Sequence, residues 1–246
     1  MIERIGNSST SSSFWKRLVK ALLCVTGVAL AGCSGDADGT ITVDFRQSDQ
    51  GWVAGFADYP VGEDAFYKLA SDYRPLPDPV SSSGNGLYIS GQNRSDDLWM
   101  YYKGQIAGFS PSSRYRVTFQ VEIATSVPNG CVGVGGAPGE AVTVKAGVSE
   151  IEPDRIDQAG FWIMNLDKGQ QTTSGENALA IGDMANTITC GEEPQWQLKR
   201  LSSGLDGIVV TTDGTGAVWL FVGTDSGFES TTSVYYTQVV ASFQEI

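Results

Sequence analysis

The sequence predicts an all-β fold, an antiparallel β-sandwich, on three observations. Short apolar stretches with alternating side chains recur along the chain, turns rich in glycine and proline separate them, and few stretches have helical periodicity. The chain of 246 residues contains 30 glycines, so it is long enough for a sizeable core and supplies many turns. We expect one sandwich domain over residues 41–246, with long loops rich in glycine and proline.

The clearest predicted strand runs from Arg114 to Ala124. Its odd-numbered residues from Tyr115 to Ile123 are apolar and its even-numbered residues from Arg114 to Glu122 are polar, which is typical of a strand with one wet face. The other predicted strands are 87–90, 98–102, 142–148, 161–164, 178–181, 195–201, 208–212, 217–222 and 233–243. The predicted strands 208–212 and 217–222 should form a hairpin around Asp213-Gly214. Residues 71–86 should be a surface loop, and 64–69 a brief helical stretch.

The N-terminal segment has the pattern of an export signal. Basic residues are followed by a short apolar run from Ala21 to Ala31, well below the about 20 residues that a membrane-spanning helix needs. The run ends in Leu30-Ala31-Gly32-Cys33, which resembles the lipobox of bacterial lipoproteins. The resemblance implies that residues 1–32 are cleaved and that Cys33 carries several fatty acyl chains such as palmitate, which together give stable membrane anchoring.

Residues 33–40 would then be a flexible tether. Ser34 after the acylated cysteine favours the outer membrane, because the lipoprotein resemblance associates an Asp at that position with inner-membrane retention. A plain secretory signal and an uncleaved membrane anchor are the alternatives. The sequence therefore predicts a lipid-anchored protein of the bacterial cell envelope.

Charge and residue usage exclude several classes of function. The chain has 28 acidic and 16 basic residues, a formal net charge of −12, so it is not expected to bind nucleic acid. It has no histidine, which removes Ser-His-Asp and Cys-His catalysis and the usual imidazole metal ligand. Catalysis by carboxylates alone remains open, for example at Glu150, Glu152 and Asp154, but no catalytic residue is assigned.

Two cysteines remain once Cys24 is placed in the signal and Cys33 at the anchor. Cys131 and Cys190 would share an oxidising compartment, so we predict a disulfide bond between them. The alternative is a site in which the two thiolates bind a metal, and the absence of histidine disfavours it.

Several segments also resemble jelly-roll carbohydrate-binding modules. They are Gly51-Trp52, LYISG at 87–91, FSPSSRYRVTFQVEIA at 109–124, VWLFVGT at 218–224 and SVYYTQVVASF at 233–243. The resemblance covers about half of the mature chain in scattered pieces, and long inserts at 57–86 and 126–200 depart from those compact modules. It implies a jelly-roll arrangement of strands, a carbohydrate ligand and a structural Ca²⁺, but it does not place the sugar-stacking aromatic residues.

Two segments are candidates for ligand binding because they set polar groups beside aromatic strands, as sugar recognition requires. The first includes Asn93, Arg94, Asp96, Asp97 and Trp99, and the second Asn165, Asp167 and Lys168. The alternatives are a turn in which Arg94 pairs with an aspartate, and a hairpin turn with an exposed pair between Asp167 and Lys168. Asp58, Glu63 and Asp64 could ring a cation but fit a loop and helix-start role better.

Asp225 and Glu229 lie in a glycine-containing loop before the last strand, and they are the candidate ligands for Ca²⁺. They could instead cap backbone amides. The sequence as a whole favours a non-catalytic lipoprotein that binds a carbohydrate or another surface ligand. A structural or adhesive envelope lipoprotein with a protein partner is the main alternative, and a carboxylate-based glycan hydrolase or lyase is a weaker one.

Overall fold

The computed structural model describes residues 38–246, so the signal, the lipobox and Cys33 lie outside the described residues. Within this range the chain forms fifteen β-strands and one short 3₁₀ helix, Ser81–Ser83. The strands are β1 Gly39–Asp44, β2 Val53–Ala57, β3 Tyr59–Pro60, β4 Ala70–Pro75, β5 Asn85–Gln92, β6 Trp99–Ala107, β7 Arg114–Thr125, β8 Val142–Ser149, β9 Arg155–Gln158, β10 Phe161–Met164, β11 Ala178–Asp183, β12 Gln197–Ser202, β13 Ile208–Thr211, β14 Ala217–Ser226 and β15 Thr231–Glu245.

The strands form two large antiparallel sheets and one small sheet, which confirms the predicted all-β antiparallel class. Sheet A has the order β12-β7-β15-β5-β4, with β1 also paired to β15 and β13 also paired to β7. Sheet B has the order β11-β8-β14-β6-β2, and sheet C has the order β3-β10-β9. Every ladder between these strands is antiparallel.

Sheets A and B share the main hydrophobic core. The inward face of β7 is the predicted one, since Tyr115, Val117, Phe119, Val121 and Ile123 are all buried. They belong to the same cluster as the even-numbered valines of β8 and as Leu220 of β14. Burial of this apolar surface from water is the main force that holds the two sheets together.

Sheet B is covered on its other side as well. Trp99, Tyr101 and Phe221 point away from the main core because neighbouring residues of a strand face opposite ways, and they pack instead against Met164 of β10 and Leu166. As a result, every residue of β8 is buried. We call this side of sheet B, away from sheet A, its outer face.

Three sequence predictions about local structure are wrong. β13 and β14 do not form a hairpin: β13 pairs with β7 in sheet A, while β14 pairs with β6 and β8 in sheet B. The turn between them is closed by Asp213, whose Oδ1 accepts hydrogen bonds from the backbone N–H groups of Thr215 and Ala217. A tight turn of this kind can join two sheets as readily as two paired strands.

The other two errors lie in the first insert. Residues 70–75 are a strand paired with β5 rather than part of a surface loop. Residues 64–68 form turns and not a helix. In addition, β1 begins at Gly39, inside the predicted tether 33–40, because it pairs with Phe243 of the closing strand.

Candidate functional site

A buried ion-pair network lies on the outer face of sheet B. Lys145 of β8 and Asp225 of β14 point to this face, and both side chains are completely buried. Asp225 Oδ2 accepts a hydrogen bond from Lys145 Nζ at 2.8 Å and a second from Lys168 Nζ, also at 2.8 Å. One carboxylate oxygen thus holds two ammonium groups.

Two further aspartates complete the network. Lys168 Nζ lies 2.9 Å from Asp58 Oδ2. Carboxylate oxygens of Asp58, Asp97 and Asp225 lie within 4.8 Å of one another. We call Asp58, Asp97, Lys145, Lys168 and Asp225 the charged cluster.

Local backbone structure brings these segments together. Asp58 follows β2 in a left-handed conformation with φ of 66°, which turns the chain from sheet B into sheet C. The segment that carries Asp97 is tied to the end of β14 by Asn93, whose Nδ2 donates to the Ser226 carbonyl at 2.7 Å. Lys145 Nζ donates to the Lys168 carbonyl at 2.9 Å, which fixes the loop after β10 over sheet B.

The carboxyl groups of the charged cluster have different pKa values because their surroundings differ. Burial, together with the neighbouring Asp225 carboxylate, raises the pKa of Asp97 to about 8. Burial also opposes ionisation of Asp225, but the charges of Lys168 and Lys145 outweigh it and hold the pKa of Asp225 below its ordinary value. Asp97 is protonated at neutral pH, and burial also raises the pKa of Asp58, so Asp225 is the carboxylate that faces both ammonium groups.

The two lysines of the charged cluster also differ in pKa. Burial is the largest influence on Lys145 and lowers its pKa in spite of Asp225. Burial acts against the charged form of Lys168 too, but the charges of Asp225 and Asp58 raise its pKa above the ordinary value. Lys168 is therefore the more firmly charged of the two ammonium groups.

The donor set of the charged cluster does not suit Ca²⁺. Three carboxylates at close range are the oxygen ligands that calcium prefers. However, two ammonium groups already occupy Asp225 Oδ2, and Asp97 is protonated at neutral pH. Glu229, the other predicted ligand, is exposed and does not belong to this carboxylate group. Calcium binding stays a prediction.

Two surface depressions are lined by chain segments that carry or adjoin residues of the charged cluster. One, of about 270 Å³, is lined by Asp58, Asp97, Asp167, Lys168 and Gln170 together with apolar residues of β10 and its loop. The second, of about 450 Å³, is lined by Pro60, Glu63, Phe66, Tyr67, Arg94 and Ser95. Each takes part of its wall from residues 58–67 and 94–97, so the two lie near each other, and residues 163–170 form the rest of the smaller one.

Phe66 and Arg94 dominate the larger depression. Phe66 is 53% exposed, although it is a large apolar side chain. The Arg94 guanidinium carbon lies 4.2 Å from the centre of the Phe66 ring, and Arg94 Nε donates to the Phe66 carbonyl at 2.9 Å. The two residues therefore form one amphipathic surface, in which a cation is stacked on an aromatic ring.

The other predicted ligand-binding residues have structural contacts. Trp99 is completely buried and packs with Tyr101 on the outer face of sheet B, so its ring has no face in solvent. Asn165 joins two backbone groups near β9, since its Oδ1 accepts from the Asp154 N–H and its Nδ2 donates to the Glu152 carbonyl. Asp167 accepts from the Gly169 and Glu176 N–H groups and is not the partner of Lys168.

Asp96 and the cysteines complete the predicted set. Asp96 is exposed, and its carbonyl accepts a hydrogen bond from Gln171 Nε2 at 3.1 Å. Cys131 and Cys190 form the predicted disulfide bond. In residues 38–246, helices of the length and apolar character needed to cross a membrane are absent.

Sequence reasoning missed Lys145 and Phe66 and assigned Asp58 to a loop. Lys145 carried a signal: it interrupts the run Val142-Thr143-Val144-Lys145-Ala146, where a lysine on a buried strand requires a buried partner. No sequence signal identified Phe66 as a surface residue, because an apolar residue in a short irregular segment is equally compatible with a place in the core.

Comparisons with known proteins find distant likenesses among solved structures. No protein-family model and no curated protein matches the sequence. Among solved structures, a carbohydrate-binding module studied for mannan recognition matches with 11% identity and a TM-score of 0.39, over 85% of this chain and 99% of that one. A carbohydrate-binding module in complex with β-1,4-galactotriose matches with 11% identity and a TM-score of 0.33, over 80% and 92% of the two chains.

The cleaved adhesin domain of Lys-gingipain from Porphyromonas gingivalis matches with 12% identity and a TM-score of 0.32, over 82% of this chain and 97% of that one. These TM-scores lie below 0.5, so the fold class rests on the sheets of this chain. The class of protein is an antiparallel β-sandwich with a polar and aromatic surface formed by its loops.

Proposed function

We propose that the protein is a non-catalytic carbohydrate-binding protein, held in the bacterial cell envelope by lipids on Cys33. The observation that carries the proposal is the exposed Phe66 ring with Arg94 stacked on it, beside a second depression lined by carboxyl groups and Lys168. The ligand would lie across the two depressions.

The chemistry of this surface matches a sugar. The C–H faces of a pyranose ring pack on aromatic side chains, while its hydroxyl groups exchange hydrogen bonds with carboxylates, amides and cations. Phe66 offers the apolar face. Arg94, Gln170 and the charged-cluster residues that line the smaller depression offer the polar groups. Because the depressions are open, they suit a stretch of a polymer rather than an enclosed small molecule.

A binding experiment tests this assignment. The purified chain is screened against a panel of neutral and acidic oligosaccharides, and the affinity for any ligand found is measured by calorimetry. Removing a stacking aromatic residue should weaken binding about tenfold, so Phe66→Ala should do so. Gln170→Ala should weaken it less.

The matched control is Leu205→Ala. Leu205 is 96% exposed and does not line either depression, so this change should leave the affinity unchanged. A blank panel would contradict the proposal, and so would equal losses in the Phe66→Ala and Leu205→Ala proteins. Release of shortened products from a bound glycan would favour the hydrolase alternative.

Anchoring is tested separately in cells. Radiolabelled palmitate should enter the wild-type chain but not a Cys33→Ser variant, and the wild-type chain should fractionate with the outer membrane. Label in the Cys33→Ser protein would contradict the proposed anchor.

A further inference from the structure

The most unusual feature of the protein is the contact between Lys145 and Asp225. Both side chains are completely buried, they lie on adjacent paired strands, and Lys145 Nζ is 2.8 Å from Asp225 Oδ2. An amine and a carboxyl group held at this distance in a buried site need little further ordering to react. Side chains fixed in this way can condense to an amide.

We propose that Lys145 and Asp225 are the site of a self-catalysed covalent modification, an isopeptide bond that joins β8 to β14. The lysine amine attacks the Asp225 carboxyl carbon, and a C–N bond forms. One Cγ–O bond then breaks, and that oxygen leaves as water. An ammonium and a carboxylate thus become a secondary amide and one water molecule, so the step needs neither an oxidant nor an activating nucleotide.

Asp97 is placed to move the protons. Oδ1 of Asp97 and Oδ1 of Asp225 are both buried and lack a hydrogen-bond partner, and carboxyl oxygens of the two residues lie within 4.8 Å of each other. A single proton between these two groups satisfies both. Asp97 starts protonated and gives its proton to the departing oxygen of Asp225. It then takes up a proton that the Lys145 amine loses, passes it to the same oxygen, and recovers its own proton from the amine once the C–N bond has formed, as a general acid and base does.

The rest of the site favours the same step. Burial lowers the pKa of Lys145, which makes its uncharged, nucleophilic form more accessible. Lys168 stays charged and touches Asp225 Oδ2 at 2.8 Å, so it stabilises the negative charge that develops on that oxygen. The buried Trp99 ring, whose centre lies 5.4 Å from Lys168 Nζ, covers one side of the site with an apolar surface.

A second lysine on the same face provides an internal comparison. Lys103 is also buried, and its Nζ lies 2.8 Å from Glu152 Oε1. The Glu152 side chain is 52% exposed, so its charge is solvated and the two partners are not held in a dry site. Lys103 should therefore remain a free amine, which makes it a matched control.

Peptide mapping tests the proposal on the full chain. The purified protein is reduced, alkylated and digested with trypsin. A bond at Lys145 blocks cleavage there, so residues 117–155 should appear joined to residues 201–246, lighter than the two peptides together by one water molecule. Separate peptides 117–145, 146–155 and 201–246 would overturn the proposal, as would a link from Lys168.

Variants assign the roles. Lys145→Arg should abolish the linked peptide, and Lys103→Arg should leave it in full yield. Asp97→Asn, which preserves shape, should prevent or greatly slow the link while near-ultraviolet circular dichroism shows a native fold. Full linkage in folded Asp97→Asn protein would remove Asp97 from the mechanism. The test does not depend on sugar binding, so the two proposals can fail independently.

Discussion

The Trp99 ring lies directly on the backbone of Gly223. A Cβ atom at position 223 would lie 2.5 Å from Trp99 Cη2 and 2.7 Å from the Met100 carbonyl oxygen. Gly223 pairs with both Tyr101 and Lys145 in sheet B, so the missing side chain lets Trp99 cover the strand beside the charged cluster.

Gly223→Ala should therefore destabilise the protein. Overpacking of a close-packed core costs about 1–3 kcal/mol, and in a domain of this size each kcal/mol lowers Tm by about 2–4 °C. Gly214→Ala is the control, because a Cβ at Gly214 meets nothing within 4 Å. Thermal melts that give both variants the same Tm would contradict the packing described for Trp99.

Reduction of the Cys131–Cys190 disulfide should lower the free energy of unfolding. The bridge closes a loop with a sequence separation of 59, which corresponds to about 4 kcal/mol in the chain-entropy model. Melts with and without reductant should show a fall in Tm, and the Cys131→Ala, Cys190→Ala double variant should melt like the reduced protein. Coincident melts of the oxidised and reduced forms would contradict this prediction.

The protein should lose stability in alkali through its buried tyrosines. Burial raises the pKa of Tyr102 to about 12, and complete burial raises the pKa of Tyr236 further. The folded state therefore resists their ionisation while the unfolded state does not. Stability from these groups is fully present below pH 10, the unfolded value, and is lost as the pH rises toward 12.

Tyr236→Phe should reduce this alkaline loss at no cost near neutral pH, because the Tyr236 hydroxyl is buried without a hydrogen-bond partner. Tyr102→Phe is the comparison. Its hydroxyl donates to the Tyr88 carbonyl at 2.5 Å, so its removal should cost about 1 kcal/mol even at neutral pH. Urea unfolding at several pH values separates the two effects. The prediction fails for Tyr236 if both variants lose equal stability at pH 7.

Glu122 should contribute more to stability than Arg200, one of its two arginine partners. Its carboxylate is buried on the side of sheet A away from the core, where it accepts hydrogen bonds from Arg46, Arg200 Nε and the Thr237 hydroxyl. Glu122→Gln weakens all three, at an expected cost of about 2 kcal/mol. Arg200 is 80% exposed, so Arg200→Ala should cost less than about 1 kcal/mol. Chemical denaturation of both variants would check this order.

The sequence predicted elements whose signal is local and strong. The alternation of 114–124 identified both the strand and its buried face, with one exception: Glu122, on the polar face, is buried by Arg46 and Arg200. The Cys131–Cys190 pair followed from counting cysteines. Both inferences needed no knowledge of which strands are neighbours.

The charged cluster could not be predicted, because its five residues come from five separate segments. Asp97 and Lys168 were proposed as members of different sites, and Asp225 as a calcium ligand with Glu229. Only the order of strands in sheet B, with β8 beside β14 and β14 beside β6, brings them together. The hairpin predicted at Asp213 was wrong for a related reason, since the same turn residues occur in hairpins and in connections between two sheets.

The position of β15 in sheet A bears on how the molecule folds. β15 pairs with β1, β5 and β7, all of which precede it in the chain. The hydrogen bonds that join these three strands to β15 cannot form until residues 231–245 have been synthesised. Most of its contacts join distant parts of the sequence, which is typical of slow folding. A nascent chain that lacks β15 would leave one edge of β7 without its hydrogen-bond partner, and would be open to proteolysis and aggregation until the final strand arrives.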